Sequence, residues 1–119
     1  MDTSREYILQ CEKAEEIQKL WEPDDGDFIH CDSNICTEVH VVGDHFKYKD
    51  PTYTWLPRQD QLQEMIGGTW SGQLFRLDRW IKEFGKEYYA CTSMEQLWLG
   101  FVMTEKFNKK WDGESWIGL

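Results

Sequence analysis

The stretch TSMEQLWLGFVMTEKF, residues 92–107, carries the strongest helix signal in the chain. Its apolar residues recur every three or four positions, the spacing that places them on one face of a helix; they are Met94, Leu97, Trp98, Phe101 and Val102. Ser93 with Gln96, or Thr92 with Glu95, can form a capping box at its start. Lys106 near its end suits the helix dipole. We therefore expect a helix that buries this stripe, including Trp98, in the core.

Three further helices are predicted outward from this one. The first covers about residues 11–21 and is stopped by Pro23. The second begins just after Pro57 and ends at the glycines 67–68, and the third spans about 70–84. The apolar stripes of the last two are Leu62, Met65 and Ile66, and then Trp70, Leu74, Leu77, Ile81 and Phe84 with Trp80 beside them.

Strands are predicted before most of these helices. DFIHC (27–31) and ICTEVHVV (35–42) flank the turn DSN, and HFKYK (45–49) alternates again. Residues 7–9 fit either a short strand or an early helical turn, and WDGESWIGL (111–119) fits either a docked tail or a hairpin. The chain is therefore expected to be a single α+β domain over residues 1–119. Its small antiparallel sheet, a meander of about residues 27–55, should pack against three to four α-helices.

The charge of the chain is strongly acidic and unevenly distributed. The net charge is −9, and residues 1–50 hold 13 acids against 5 bases. Such a surface repels phosphate backbones, so direct nucleic-acid binding is not expected. Five acids are interpreted as a surface that meets a basic partner: Glu22, Asp24, Asp25, Asp27 and Asp32. No apolar run approaches the roughly 18 residues of a membrane span, which predicts an intracellular protein with free cysteine thiols and no membrane contact.

One group of residues has the composition of a metal site. It contains His30, Cys31, Cys36 and His40, but their spacing differs from that of a zinc ribbon or finger. In the strand interpretation His30 and Cys31 point to opposite faces, so no metal or cofactor is expected. A disulfide between Cys31 and Cys36 is conceivable across the hairpin. No nucleophile elbow, phosphate loop or dinucleotide fingerprint is present in the sequence, and the protein is predicted not to be an enzyme.

The stretch TWLPRQDQLQEM, residues 54–65, holds the candidate binding residues. Asp60 and Gln61 suit a helix start after Pro57, but Trp55, Arg58 and Gln59 are not required by it. Aromatic residues beside turns can form a binding surface, and the C-terminal WDGESW adds more of them. The predicted binding set is Trp55, Arg58, Gln59, Gln61, Trp111, Asp112 and Trp116.

Three stretches resemble a family of small phage and prophage proteins of Gram-positive bacteria: CEKAEEIQKLWEPDDGDF, TWLPRQDQLQEM and EQLWLGFVMTEKFNKKWDGESW. The resemblance implies an accessory protein that works in the host bacterial cytoplasm, and it brings no catalytic residues. We expect a non-enzymatic protein that binds and inhibits or redirects a host protein, including one of antiviral defence, and a homo-oligomer stays open. Two alternatives also stay open. One is a nucleotide or small-ligand binder with a pocket lined by tryptophan and arginine, and the other is a virion structural or assembly component.

Overall fold

A computed structural model describes residues 1–32, 37–43, 49–88 and 91–119. Five α-helices, a 3₁₀ turn and five short strands make up this part of the chain, so the expected α+β class is confirmed. In chain order they are α1 (Arg5–Lys13), α2 (Glu15–Leu20), β1 (Phe28–Cys31), β2 (Val39–Val41), β3 (Tyr53–Leu56), α3 (Gln59–Ile66), α4 (Trp70–Phe84), the 3₁₀ turn (Gly85–Tyr88), α5 (Met94–Phe107), β4 (Lys109–Trp111) and β5 (Trp116–Gly118).

Helix α5 lies in the core, as its stripe predicts, except that Met94 in its first turn is exposed. Ser93 is the N-cap, and its Oγ accepts a hydrogen bond from the Gln96 backbone N–H at 3.1 Å. The helix is buried around most of its circumference, because Leu99 and Met103 are enclosed along with the predicted Trp98 and Phe101. Such all-round burial identifies a helix at the centre of a small domain. The ring of Trp98 meets the ring of Phe101 edge to face, with centroids 5.7 Å apart.

The first helix begins earlier than predicted and is broken in two. Ser4 caps α1, since its Oγ accepts from the Tyr7 backbone N–H, so residues 7–9 are helical. Ala14 (φ −84°, ψ 69°) separates α1 from α2. The side chain of Gln18 compensates for the break by donating to the carbonyl of Cys11 at 3.0 Å. The same amide bonds the backbone of Trp55, donating to its carbonyl at 2.9 Å and accepting from its N–H at 2.8 Å.

The described strands do not follow a meander. Their order is β2-β1-β3, all antiparallel, so β1 is central and Ile29 lies between His40 and Trp55. The strand Tyr53–Leu56 was missed as a separate element by the sequence reasoning, because it is short and runs directly into Pro57. The predicted strand 35–42 is shorter, with β2 covering 39–41, and the predicted strand 45–49 lies mostly outside the described residues.

The remaining elements match their predicted positions. Helix α3 begins right after Pro57 and Arg58, ends before the glycines 67–68, and packs on α5. The C-terminal tail is a hairpin of β4 and β5, and it is also docked, because Nε1 of Trp116 donates to the carbonyl of Gln10 at 2.9 Å. Helix α4 spans the predicted residues, but only part of its apolar stripe is covered.

The carboxylate of Asp2 accepts hydrogen bonds from the start of α5 and makes the stability of the fold depend on pH. Its Oδ2 accepts from Ser93 Oγ at 2.6 Å and from Gln96 Nε2 at 2.8 Å, and its Oδ1 accepts from the Ser4 backbone N–H at 2.8 Å. Burial raises the pKa of the Asp2 carboxyl group, but these hydrogen bonds, that of Ser93 foremost, outweigh it and hold the pKa below its ordinary value.

We expect Asp2→Asn to lower stability at neutral pH and to have less effect in acid. Because the folded pKa is depressed, the carboxylate stabilises the fold above its unfolded-state pKa. That contribution is lost as the pH falls through the folded value. The expected loss at neutral pH is about 1 kcal/mol or less, since the group is only partly buried. Urea unfolding of both chains at neutral pH and near pH 3 measures it. An equal difference at both pH values would contradict this role.

Candidate functional site

The acidic turn before β1 is built around one buried carboxylate, Asp27. Asp27 is only 2% exposed. Oδ2 accepts from Nε1 of Trp21 at 2.9 Å and from the Asp24 backbone N–H at 3.0 Å, and Oδ1 accepts from Nε2 of Gln61 at 2.7 Å. Gly26 precedes it with φ +89°, a conformation that favours glycine. Asp27 is therefore a structural acceptor, and its prediction as part of an exposed acidic surface is wrong.

Arg58 and Gln61 join this turn to the start of α3. A guanidinium nitrogen of Arg58 donates to the carbonyl of Gly26 at 2.8 Å and lies 3.5 Å from Asp27 Oδ1, while its Nε contacts Asp60 at 3.0 Å. The hydrogen bond to Asp60 raises the pKa of the Arg58 guanidinium. Gln61 accepts from the Arg58 backbone N–H at 2.9 Å, the predicted capping role. Both side chains hold the acidic turn against α3. This contact is a role beyond the start of the helix, and it accounts for Arg58, which the helix start alone does not require.

Trp55 is buried rather than exposed, which corrects its prediction as a surface aromatic. It is 5% exposed and stacks on Trp21, with ring centroids 6.3 Å apart and planes 13° from parallel. Trp21 is 4% exposed. Because it is almost fully buried, Trp55 presents little ring surface on which a base or other flat ligand could stack. Its Nε1 is buried and lacks a hydrogen-bond partner within the described part of the chain.

A cleft of about 420 Å³ opens beside this stacked pair. Its lining combines apolar, aromatic and acidic side chains: Leu20, Trp21, Glu22, Asp24, Asp27, Trp55, Gln61, Glu64 and Met65. Glu22, Asp24 and Glu64 are exposed, whereas Asp27 is occupied by the donors described above. Among the described residues, the lining contains no lysine or arginine. The cleft is thus a hollow with a mixed polar and apolar lining, and its three solvent-facing carboxylates give it a negative field.

The other predicted binding residues divide between two places. Gln59 is half-buried in the first turn of α3, beside Arg58. Trp111 and Trp116 pack on each other in the C-terminal hairpin, with centroids 5.1 Å apart, and Nε1 of Trp111 points to Glu6 Oε1 at 3.3 Å. Asp112 closes the hairpin turn, because its Oδ1 accepts from the N–H groups of residues 114 and 115. These three serve the hairpin and α1, whereas the cleft is lined by Trp21 and Trp55.

The predicted acidic residues other than Asp27 are exposed. Glu22 and Asp24 line the cleft, and Asp25 and Asp32 lie on the surface nearby in sequence. The sequence did not identify four of the residues that line the cleft: Leu20, Trp21, Glu64 and Met65. The helical spacing of α3 could have pointed to Glu64, because residues three positions apart, such as Gln61 and Glu64, lie on the same face of a helix. Leu20 carried a weaker signal, as an apolar residue that widens the stripe of the first helix.

The cysteine and histidine residues of the predicted metal-like group do not form a metal site in the described part of the chain. Cys31 is buried and His30 half-buried, so they face opposite sides of β1 as predicted, and Cys36 lies outside the described residues. Within residues 1–32, 37–43, 49–88 and 91–119, no cluster of three or more histidine, cysteine or acidic side chains could hold a metal. Burial raises the pKa of the Cys91 thiol to about 11, which keeps this thiol protonated and weakly nucleophilic at neutral pH.

Comparison with known proteins adds one finding. No protein-family model, curated protein or solved structure matches this chain. Among the helices of the described ranges, none combines the length and the apolar character that crossing a bilayer requires.

Proposed function

We propose that the protein is a non-enzymatic binder of basic proteins, and that its cleft takes up an arginine or lysine side chain of the partner. The observation that carries this proposal is the lining of the cleft. Glu22, Asp24 and Glu64 are solvent-facing carboxylates, and they surround apolar surface without a lysine or arginine of the described chain among the lining residues. Anions and flat neutral ligands find no matching chemistry here, because the exposed charges are negative and the two tryptophan rings are buried.

The composition of the lining matches the two parts of a long basic side chain. Lysine and arginine have an apolar stem and a charged head, and they bury the stem where the head can reach a polar environment. Leu20 and Met65 supply apolar surface, and Trp21 and Trp55 also line the cleft. The three exposed carboxylates supply partners for the head. Arginine is favoured over lysine, because its planar fork donates to two carboxylates at once.

The charge of the whole chain supports the same kind of partner. A net charge of −9 attracts a basic protein over a distance and speeds the encounter, while it repels nucleic acid. A protein whose own basic surface binds nucleic acid presents the side chains that the cleft fits. Inhibition or redirection of such a host protein by a phage accessory protein is the biological role that we propose, following the resemblance described above.

The proposal is tested by calorimetric titration with a short, unstructured peptide that alternates arginine and glycine. Neutralising the three exposed carboxylates together, as Glu22→Gln, Asp24→Asn and Glu64→Gln, should weaken binding at least about threefold, and about tenfold for ion pairs in the middle of the usual range. Each exposed ion pair contributes roughly 0.2–1 kcal/mol, and about 1.4 kcal/mol corresponds to a tenfold change. Binding should also weaken as salt is raised, because the screening length shortens from about 10 Å at 0.1 M to about 3 Å at 1 M.

A matched variant separates the cleft from overall charge. Glu15→Gln, Glu38→Gln and Glu114→Gln change the net charge by the same amount at exposed positions elsewhere. This control should bind the peptide within about twofold of the unchanged protein. Equal weakening by both triple variants would show that only net charge matters and would overturn the cleft as the binding site. Absence of peptide binding at low salt would overturn the function itself.

A further inference from the structure

The three exposed carboxylates of the cleft differ in what they already contact. The side chain of Asp24 accepts a hydrogen bond from the Asp25 backbone N–H at 2.9 Å. Within the described ranges, the side chains of Glu22 and Glu64 have neither a hydrogen bond nor an ion pair. These two carboxylates therefore keep all their acceptor positions for a ligand, whereas Asp24 already uses one.

Arg58 brings a positive charge next to one wall of the cleft. Its guanidinium lies 3.5 Å from Oδ1 of Asp27, a residue that lines the cleft, and donates to the carbonyl of Gly26 at 2.8 Å. The hydrogen bond to Asp60 raises the pKa of the guanidinium most, and the charges of Asp27 and Asp24 raise it further. The positive charge of Arg58 therefore acts on both carboxylates of the acidic turn that line the cleft.

This fixed charge makes the cleft uneven for a basic ligand. A basic head beside Asp24 is attracted by that carboxylate, but the guanidinium of Arg58 repels it and cancels part of the attraction. In the described chain, neither Glu22 nor Glu64 contacts the guanidinium. Their charges are thus free to attract a cation, and the side of the cleft that they occupy is the more favourable one.

We propose that Arg58 is a specificity-determining residue of the cleft, whose charge keeps the basic head of the partner on the side of Glu22 and Glu64. This inference rests on the proposed function, since it states where in the cleft the partner's side chain is held. A binding site gains specificity when it repels an alternative arrangement as well as attracting the correct one. Arg58 would supply that repulsion in addition to tying the acidic turn to α3.

Calorimetric titration with the same arginine–glycine peptide tests the role of Arg58. Arg58→Gln should bind the peptide about two- to fivefold more tightly than the unchanged protein, because a repulsion between like charges is removed. Arg58→Lys keeps the charge but loses the planar fork, and it should bind like the unchanged protein. The matched control is Arg79→Gln, which removes the same charge from an exposed position on α4, away from the described lining of the cleft. It should change the affinity by less than about 1.5-fold, since solvent and salt screen a distant charge.

Single neutralisations of the carboxylates test the same inference without altering Arg58. Glu22→Gln and Glu64→Gln should each weaken binding about two- to threefold, the effect of one exposed ion pair. Asp24→Asn should weaken binding less than either of them. This comparison decides the matter even if Arg58→Gln does not fold, because the Asp24 side chain makes no hydrogen bond to Arg58 in the described chain.

The outcomes separate this inference from the proposed function. Tighter binding by Arg58→Gln but not by Arg58→Lys would support the role of the charge. Equal affinities of these two variants would overturn it, and so would a loss on Asp24→Asn as large as that on Glu64→Gln. Each of these results leaves the cleft as the binding site. Absence of peptide binding by the unchanged protein would overturn the proposed function and this inference together.

Discussion

Replacing Trp98 by alanine should lower the free energy of unfolding by about 3–5 kcal/mol, the range for a fully buried large aromatic. Trp98 is 1% exposed in the middle of α5 and packs edge to face on Phe101. Its removal leaves a cavity that the surrounding helices cannot fill without strain. Urea unfolding followed by far-UV circular dichroism measures the change.

The matched control for this change is Trp70→Ala. It removes the same atoms from a residue that is 76% exposed, so its effect on unfolding should stay within about 0.5 kcal/mol. Similar losses for the two variants would refute the core position of Trp98.

Asp27→Ala is expected to cost a similar amount for a different reason. The change removes the acceptor of three hydrogen bonds and leaves the donors on Trp21, Gln61 and Asp24 without it. It also takes the carboxylate away from the guanidinium of Arg58, 3.5 Å distant. Leaving a buried donor without its acceptor typically costs about 1–3 kcal/mol, so the lost hydrogen bonds account for most of this change. Arg58 adds little to the loss, because its side chain is 33% exposed and keeps its contact with Asp60. Thermal and urea unfolding measure the loss.

Asp60→Asn separates burial from charge in this prediction. Asp60 contacts the same guanidinium at 3.0 Å, but it is exposed. An exposed ion pair contributes about 0–1 kcal/mol, so this variant should be nearly as stable as the unchanged protein. If Asp60→Asn destabilised the fold as much as Asp27→Ala, the buried network around Asp27 would not be the cause.

Features set by neighbouring residues could be predicted from the sequence. The Ser93 cap of α5, the start of α3 after Pro57 and the hairpin turn at Asp112 each depend on contacts within about four positions. Local hydrogen bonds and backbone preferences determine such features, so a short window contains the relevant information. The positions of α3, α4 and α5 followed from them.

Features set by distant residues could not be predicted in the same way. The pairing of β1 with β3 joins residues about 25 positions apart, and the sequence of neither strand indicates which strand it pairs with. The heptad spacing of α4 identifies an apolar stripe, but which flank is covered depends on where α5 lies. Periodicity alone therefore could not tell that Trp70 and Leu74 face water.

The candidate site illustrates the same limit. Sequence reasoning separated Arg58 from the plain helix start and placed Glu22 and Asp24 on an acidic surface. It could not see that Asp27, 34 positions before Gln61, is the acceptor that ties these parts together. Charged residues in a turn are mostly exposed, so the sequence around Asp27 predicts a surface position for this residue. Only the three-dimensional contacts distinguish it from its neighbours.

The side chain of Gln18 has a consequence for how partners can bind. Among the described strands β3 lies at an edge of the sheet, where an unpaired backbone invites a further strand. Gln18 occupies both outward groups of Trp55, and the N–H of Tyr53 donates to the carbonyl of Asp50 at 3.0 Å. A side-chain amide thus stands in for a neighbouring strand. Recognition on this side of the molecule must therefore use side chains, and β-augmentation by a foreign peptide is blocked here.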